Sequence, residues 1–121
     1  MMTPFSYLRI LVTPAEYREI IKRIILEYAA IKPVYGEVEV ETIFEERGGH
    51  YEMVYAGWND YRRVHGTVIH VDVKGDKIWI QHDGTEYGIA NELVEAGIPK
   101  EQIVLAFQPR WKRPSTGFAV E

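Results

Sequence analysis

The sequence contains no cysteine among its 121 residues. This excludes a disulfide framework, a thiolate nucleophile and a cysteine-ligated metal site. The sequence also lacks any apolar run approaching the roughly 18 residues of a membrane-spanning helix. We therefore expect no membrane association, and a cytoplasmic location is the simplest interpretation.

A surplus of basic residues is missing as well. The chain carries 14 lysines and arginines against 18 aspartates and glutamates, a formal net charge of -4 at pH 7. This balance argues against a protein whose whole surface binds nucleic acid. The sequence has neither a glycine-rich phosphate loop nor a nucleophile motif of the GxSxG type. We therefore expect no cofactor and no enzymatic activity.

The length and the 46% hydrophobic share are those of one globular domain. Residues 1–12 show no helical or strand period, so we expect an appended N-terminal arm or a start codon upstream of the natural one. Thr13-Pro14-Ala15-Glu16 is a capping box with proline at the first helical position. The domain is therefore predicted over residues 13–121. Apolar residues at spacings of three and four predict an amphipathic helix from Thr13 to Ala30.

The central stretch, residues 61–83, predicts a β-hairpin. Apolar residues alternate with polar ones on both sides of Gly75-Asp76, which suits a two-residue turn with glycine first. This turn pairs Val73 with Ile78 and Asp72 with Trp79, and it places His70 opposite Gln81. The apolar side chains then share one face of the hairpin, namely Ile69, Val71, Val73, Ile78 and Ile80.

Two further strands, residues 35–44 and 50–58, precede the hairpin and are joined by short turns. We predict an α+β domain in which a four-stranded antiparallel meander packs its apolar face on the first helix. A helix capped by Thr85 or Asp83 and ended by Gly97 should follow, so that one to two helices lie in the C-terminal part.

Three stretches together span most of the chain: YREIIKRIILEYAAIKP, RRVHGTVIHVDVKGDKIWIQHDGTEYGIANELVEAGIPKEQIVLAF and TGFAV. These stretches resemble the XisI family, the fdxN element excision controlling factors of cyanobacteria, and the likeness covers about Pro14 to Val120. It implies a small α+β accessory factor in a programmed DNA rearrangement during heterocyst development. Such factors work beside a separate recombinase and a companion protein, XisH, which looks nuclease-like. The family offers no established catalytic residues, so the resemblance assigns none here.

Histidines and aspartates on neighbouring strands raise the question of a metal site, and the residues are His65, His70, Asp72, His82 and Asp83. A zinc site needs three or four ligands that converge at about 2.0 to 2.3 Å. In the predicted register His82 lies opposite Ile69, on the other face from His70 and Asp72. We therefore expect no metal site. The alternative is a small metal-dependent hydrolase or nuclease-like enzyme that uses His70, Asp72 and His82.

Two surfaces are candidates for partner contacts. The sheet face away from the first helix is predicted to be apolar and to form an interface, with Tyr51, Met53, Tyr55, Val64, Val68 and Trp79. The second is the basic run Arg110, Trp111, Lys112 and Arg113, whose cations and aromatic ring suit phosphates and bases. Three charges give only a modest affinity, so direct DNA binding is a further alternative.

The first expectation for function is thus a non-catalytic accessory protein of the XisI type that works through protein contacts. An XisH-like protein is the expected partner, and a homodimer through the same face is an alternative. Contact with DNA is expected to be indirect or weak.

Overall fold

A computed structural model describes residues 12–121. Its first element is helix α1, Pro14–Ala29. The predicted capping box is confirmed: the Thr13 hydroxyl accepts a hydrogen bond from the Glu16 amide at 3.3 Å, and the Glu16 side chain reaches back to the Thr13 amide. Val12, the last residue of the predicted arm, packs partly against the core. The remainder of that arm lies outside the described residues. No helix within residues 12–121 is long and apolar enough to cross a membrane.

The strands form one five-stranded sheet in the order β1-β2-β3-β4-β5. Their bounds are β1 Glu37–Glu45, β2 His50–Asn59, β3 Arg62–Lys74, β4 Lys77–Asp83 and β5 Ile103–Leu105. The first four are antiparallel, as predicted, but β5 pairs with β4 in parallel. The predicted four-stranded sheet therefore lacks one strand of the observed sheet. The missing strand has three residues, too short for alternation to show, and a parallel partner is reached only through a long crossover.

The β3–β4 hairpin has the predicted pairs next to its turn, where Val73 faces Ile78 and Asp72 faces Trp79. Gly75 adopts a φ of 61°, the left-handed region that the turn requires. The pairing predicted beyond Val71 is wrong. A bulge between His70 and Val71 places His70 opposite His82 instead of Gln81.

The predicted apolar outer face does not form. Tyr51 and Met53 are 0% and 2% exposed and belong to the core under α1, because they pair with Val71 and Ile69. A bulge in the β2–β3 ladder is the physical reason. It leaves Val68 unpaired, so that Val64 and Val68 do not alternate away from the core face.

Of the six residues predicted for that face, the ladder places only Trp79 on the outer side. Tyr55 and Val68 are half-buried and pack against the core cluster. Val64 lies opposite Gly57, on the same side of the sheet as Tyr55. The two bulges therefore decide which side chains reach solvent on each face of the sheet.

The C-terminal part contributes helix α2, Ile89–Glu95, and two 3₁₀ helices, Lys100–Gln102 and Arg110–Ser115. Helix α2 starts four residues later than Thr85, and the Asp83 carboxylate accepts a hydrogen bond from the Ile89 amide at 2.7 Å. Ile89 and Leu93 are buried in the same core cluster as α1. Both helices therefore cover one face of the sheet.

Candidate functional site

A compact polar cluster lies on the sheet face opposite α1. Its members are His50 at the start of β2, and His70 and Asp72 on β3. Nδ1 of His50 and Nε2 of His70 lie 2.7 Å and 2.9 Å from the same carboxylate oxygen, Oδ1 of Asp72. We call these three residues the His-Asp-His cluster.

Asp72 is the buried centre of this cluster, with 6% of its side chain exposed against 50% for His50 and 30% for His70. Its second oxygen, Oδ2, accepts a hydrogen bond from Nε2 of Gln81 at 3.2 Å. Both carboxylate oxygens are therefore engaged, as a buried charge requires. The arrangement leaves Oδ1 directed at the two imidazoles.

The hydrogen bonds in the cluster shift two pKa values. Burial acts to raise the pKa of the Asp72 carboxyl, but the hydrogen bonds from His50 and His70 outweigh it and hold that pKa below its ordinary value of 3.8. The hydrogen bond to Asp72 also raises the pKa of His50 above its ordinary value of 6.5. The cluster therefore favours a carboxylate beside a protonated imidazole.

Backbone packing at Gly49 sets the position of His50. Gly49 has a φ of 73°, and its carbonyl oxygen accepts a hydrogen bond from the Val73 amide at 2.8 Å. A Cβ atom at this position would lie 2.6 Å from the Val73 carbonyl oxygen. Only glycine allows β2 to start this close to β3. His50 then falls directly opposite Asp72.

Sequence reasoning found two members of the cluster and missed His50. Among the described residues, the one group of candidate metal ligands within 4.8 Å of one another is His50, His70 and Asp72. His82 is not part of it, so the triad of the hydrolase alternative is not brought together. His82 lies directly opposite His70 in the β3–β4 ladder. The prediction that strand alternation places them on different faces is therefore wrong. The signal that could have found His50 was the alternation of side chains along β2, followed back to the first residue of the strand after Gly49.

An apolar groove lies on the α1 side of the sheet, with a volume of about 380 Å³. It runs between the end of α1, strands β2 and β3, and the segment that precedes α2. Its apolar lining consists of Tyr28, Ile31, Met53, Tyr55, Val68 and Tyr87. Ile31 and Tyr87 are 67% and 52% exposed at its rim. We call this feature the Tyr55 groove, and it contains three residues of the predicted interface.

The basic C-terminal run is largely tied to the body of the protein. Arg113 donates hydrogen bonds to three backbone carbonyl oxygens, at 3.1 to 3.3 Å, and lies over the Trp79 ring. Arg110 forms an ion pair with Glu121. Trp111 is 80% exposed. Two of the three predicted cationic contacts thus have intramolecular partners, which weakens the run as a phosphate-binding surface.

Trp79, the remaining residue of the predicted interface, belongs to this C-terminal packing. The ammonium group of Lys74 lies 4.8 Å from the centre of its ring, and the Arg113 guanidinium lies 5.7 Å away. Cations at these distances are attracted to the face of an indole. Trp79 therefore helps to hold the C-terminal segment on the outer face of the sheet.

Comparisons with known proteins agree on one family. The family model described as XisI protein matches residues 12–120. A XisI-like protein from Anabaena variabilis is 36% identical, with a TM-score of 0.84 over 89% of this chain and 99% of that one. The structure named fdxN element excision controlling factor XisI, also from Anabaena variabilis, is 31% identical, with a TM-score of 0.78 over 89% of this chain and 98% of that one.

No curated protein matches the chain. The family match nevertheless covers all but the first eleven and the last of its residues, and both structures share the α+β architecture described above. The chain belongs to the XisI family.

Proposed function

We propose that this protein is a non-catalytic accessory factor that controls the excision of a DNA element by binding an XisH-like protein. A separate site-specific recombinase would carry out the chemistry. The 31% identical structure is named an excision controlling factor, and this name supports a role in DNA element excision. Heterocyst development is the setting that the family resemblance implies.

The Tyr55 groove is the observation that carries the partner-binding role. Ile31 and Tyr87 expose more than half of their surface beside the half-buried Tyr55 and Val68. Exposed apolar surface of this kind usually marks an association site, and aromatic residues are enriched in interface cores. An amphipathic helix or an apolar loop of the partner would fill the groove and remove its rim from water.

A catalytic role receives less support from the geometry. His70, Asp72 and His82 do not converge among the described residues. The Tyr55 groove is lined mainly by apolar side chains, and Glu86 is its one ionisable acidic residue. Acid-base catalysis needs a positioned pair of groups with separated pKa values, which this lining does not offer.

Co-expression with a tagged XisH-like protein encoded in the same genome tests the proposal. We expect the untagged wild-type chain to co-purify, and Ile31→Glu to abolish this by burying an unpaired charge in the contact. Leu26→Glu is the matched control, because Leu26 is a similarly exposed apolar residue of α1 outside the groove. Equal recovery of both variants, or none of wild type, would overturn the assignment.

A homodimer through the Tyr55 groove is the competing occupant. Sedimentation of the isolated chain separates the two cases, since a dimer would form without the partner and would also be weakened by Ile31→Glu. We expect the isolated chain to be monomeric at concentrations where the heteromeric complex is stable.

A further inference from the structure

The His-Asp-His cluster lies apart from the Tyr55 groove, on the opposite face of the sheet, and the proposed function makes no use of it. Its three side chains come from two strands that are hydrogen-bonded to each other, so their spacing is set by the sheet. A buried carboxylate flanked by two partly exposed imidazoles is an uncommon feature for a sheet face that only meets solvent.

We propose that the His-Asp-His cluster, formed by His50, His70 and Asp72, binds one divalent transition-metal ion such as Zn²⁺. The ligands are Nδ1 of His50, Nε2 of His70 and Oδ1 of Asp72, which all lie within 4.8 Å of one another. Two imidazoles and one carboxylate are a ligand set that zinc and iron sites use, with the remaining positions open to water or substrate.

The distances suit such an ion after a small adjustment. Bonds of roughly 2.0 to 2.2 Å in a tetrahedral site place neighbouring ligand atoms about 3.3 to 3.6 Å apart. The two nitrogen-oxygen distances are 2.7 and 2.9 Å, because protons rather than a metal now join these atoms. His50 is half exposed, so its ring can move outward by the roughly 0.6 to 0.9 Å that the ion needs.

The surroundings of the cluster resemble the outer shell of a metal site. Gln81 holds the oxygen of Asp72 that is not offered to the imidazoles. An oxygen of Glu52 lies 3.9 Å from Nδ1 of His70, the nitrogen that faces away from Asp72. A carboxylate behind a ligating imidazole orients its ring and adds negative charge that favours a cation. The exposed side of His50 leaves a coordination position open to solvent.

The donor set also predicts selectivity. Mg²⁺ and Ca²⁺ prefer oxygen ligands, and only one of the three side chains supplies oxygen. Imidazole nitrogen favours Zn²⁺, Co²⁺, Ni²⁺ and Cu²⁺. An excess of Mg²⁺ or Ca²⁺ should therefore fail to displace Zn²⁺.

Titration calorimetry with Zn²⁺ on the full, tag-free chain, first stripped with EDTA, tests the site. We expect one ion per chain, and an affinity at least about tenfold weaker in His50→Gln and in His70→Gln. His82→Gln is the matched control, because His82 is an exposed histidine opposite His70 and outside the cluster. The affinity of this variant should equal that of wild type.

Co²⁺ provides a second measurement, since a four-coordinate nitrogen-oxygen site gives intense visible absorption bands, whereas hexahydrated Co²⁺ absorbs only weakly. The bands should appear with wild type and His82→Gln and be absent with His50→Gln, whose fold is checked by circular dichroism. Each of these variants keeps the buried Asp72 carboxylate, so a loss of the bands reports the loss of an imidazole ligand. Absence of Zn²⁺ binding by wild type, or equal affinity of His50→Gln and His82→Gln, overturns the proposal.

Discussion

Replacing Asp72 by asparagine should destabilise the metal-free protein by about 2 kcal/mol. The carboxylate accepts hydrogen bonds from two imidazoles and from Gln81, while only 6% of its side chain is exposed. A hydrogen bond to a charged group contributes about 1.5–3 kcal/mol. Asparagine keeps the shape but turns an NH₂ donor towards other donors, so about one such contribution is lost.

The size of this loss should depend on pH. Because the pKa of Asp72 is lowered, its contribution is present above the ordinary value of 3.8 and is lost as the pH falls below it. Because the pKa of His50 is raised, by Asp72 first and then by Glu45 and Glu52, its contribution is complete below 6.5 and is lost as the pH rises above that value. The difference between wild type and Asp72→Asn should therefore be largest between these two pH values.

Urea unfolding in EDTA measures the difference at about pH 5.5 and again at about pH 8.5, on either side of the ordinary histidine pKa. Thermal unfolding at the lower pH should give a Tm about 8 °C below that of wild type, at about 4 °C per kcal/mol for a domain of this size. Asp76→Asn, an exposed aspartate in the β3–β4 turn, should change stability by less than about 0.5 kcal/mol. Equal stability of Asp72→Asn and wild type at both pH values would refute the reasoning.

Three further predictions concern packing and activity. Gly49→Ala should lower the free energy of unfolding in urea by about 1–2 kcal/mol, because φ is 73° and a Cβ atom would lie 2.6 Å from a carbonyl oxygen of β3. Gly66→Ala is the control and should be nearly neutral, because a Cβ atom there would have no atom within 4 Å. Arg113→Met should lower the free energy of unfolding by about 1–3 kcal/mol through three lost hydrogen bonds, and the exposed Lys112→Met should not. The purified protein should not cleave plasmid DNA with Mg²⁺ or Mn²⁺; cleavage that His70→Ala abolishes would contradict this.

The regular parts of the fold were predictable because local chemistry determines them. Thr13 and Glu16 satisfy the first amides of α1, so a four-residue motif locates the start of the helix. Gly75 supplies the left-handed residue of a two-residue turn, and the turn alone sets the three hairpin pairs next to it. These signals are contained in a few neighbouring residues.

The bulges and the site that depends on them could not be predicted in the same way. An extra residue at Val68 changes the face of every later residue of the strand, yet a valine carries no local signal that marks a bulge. The predicted outer interface was misplaced for this reason. His50 could have been found only by relating the glycine-dependent turn at Gly49 to Asp72, which is 22 residues from His50 in sequence.

The affinity of the purified chain for the XisH-like protein that we propose as its partner is the most direct test of the central claim. Titration calorimetry should give a complex that Tyr87→Glu weakens by at least about 100-fold, the equivalent of about 2.7 kcal/mol. Trp111→Glu, at a more exposed aromatic residue outside the Tyr55 groove, should bind like wild type. Binding through the groove predicts this contrast between the two variants. Equal affinities for the partner, or no binding by the folded wild-type chain, would contradict it.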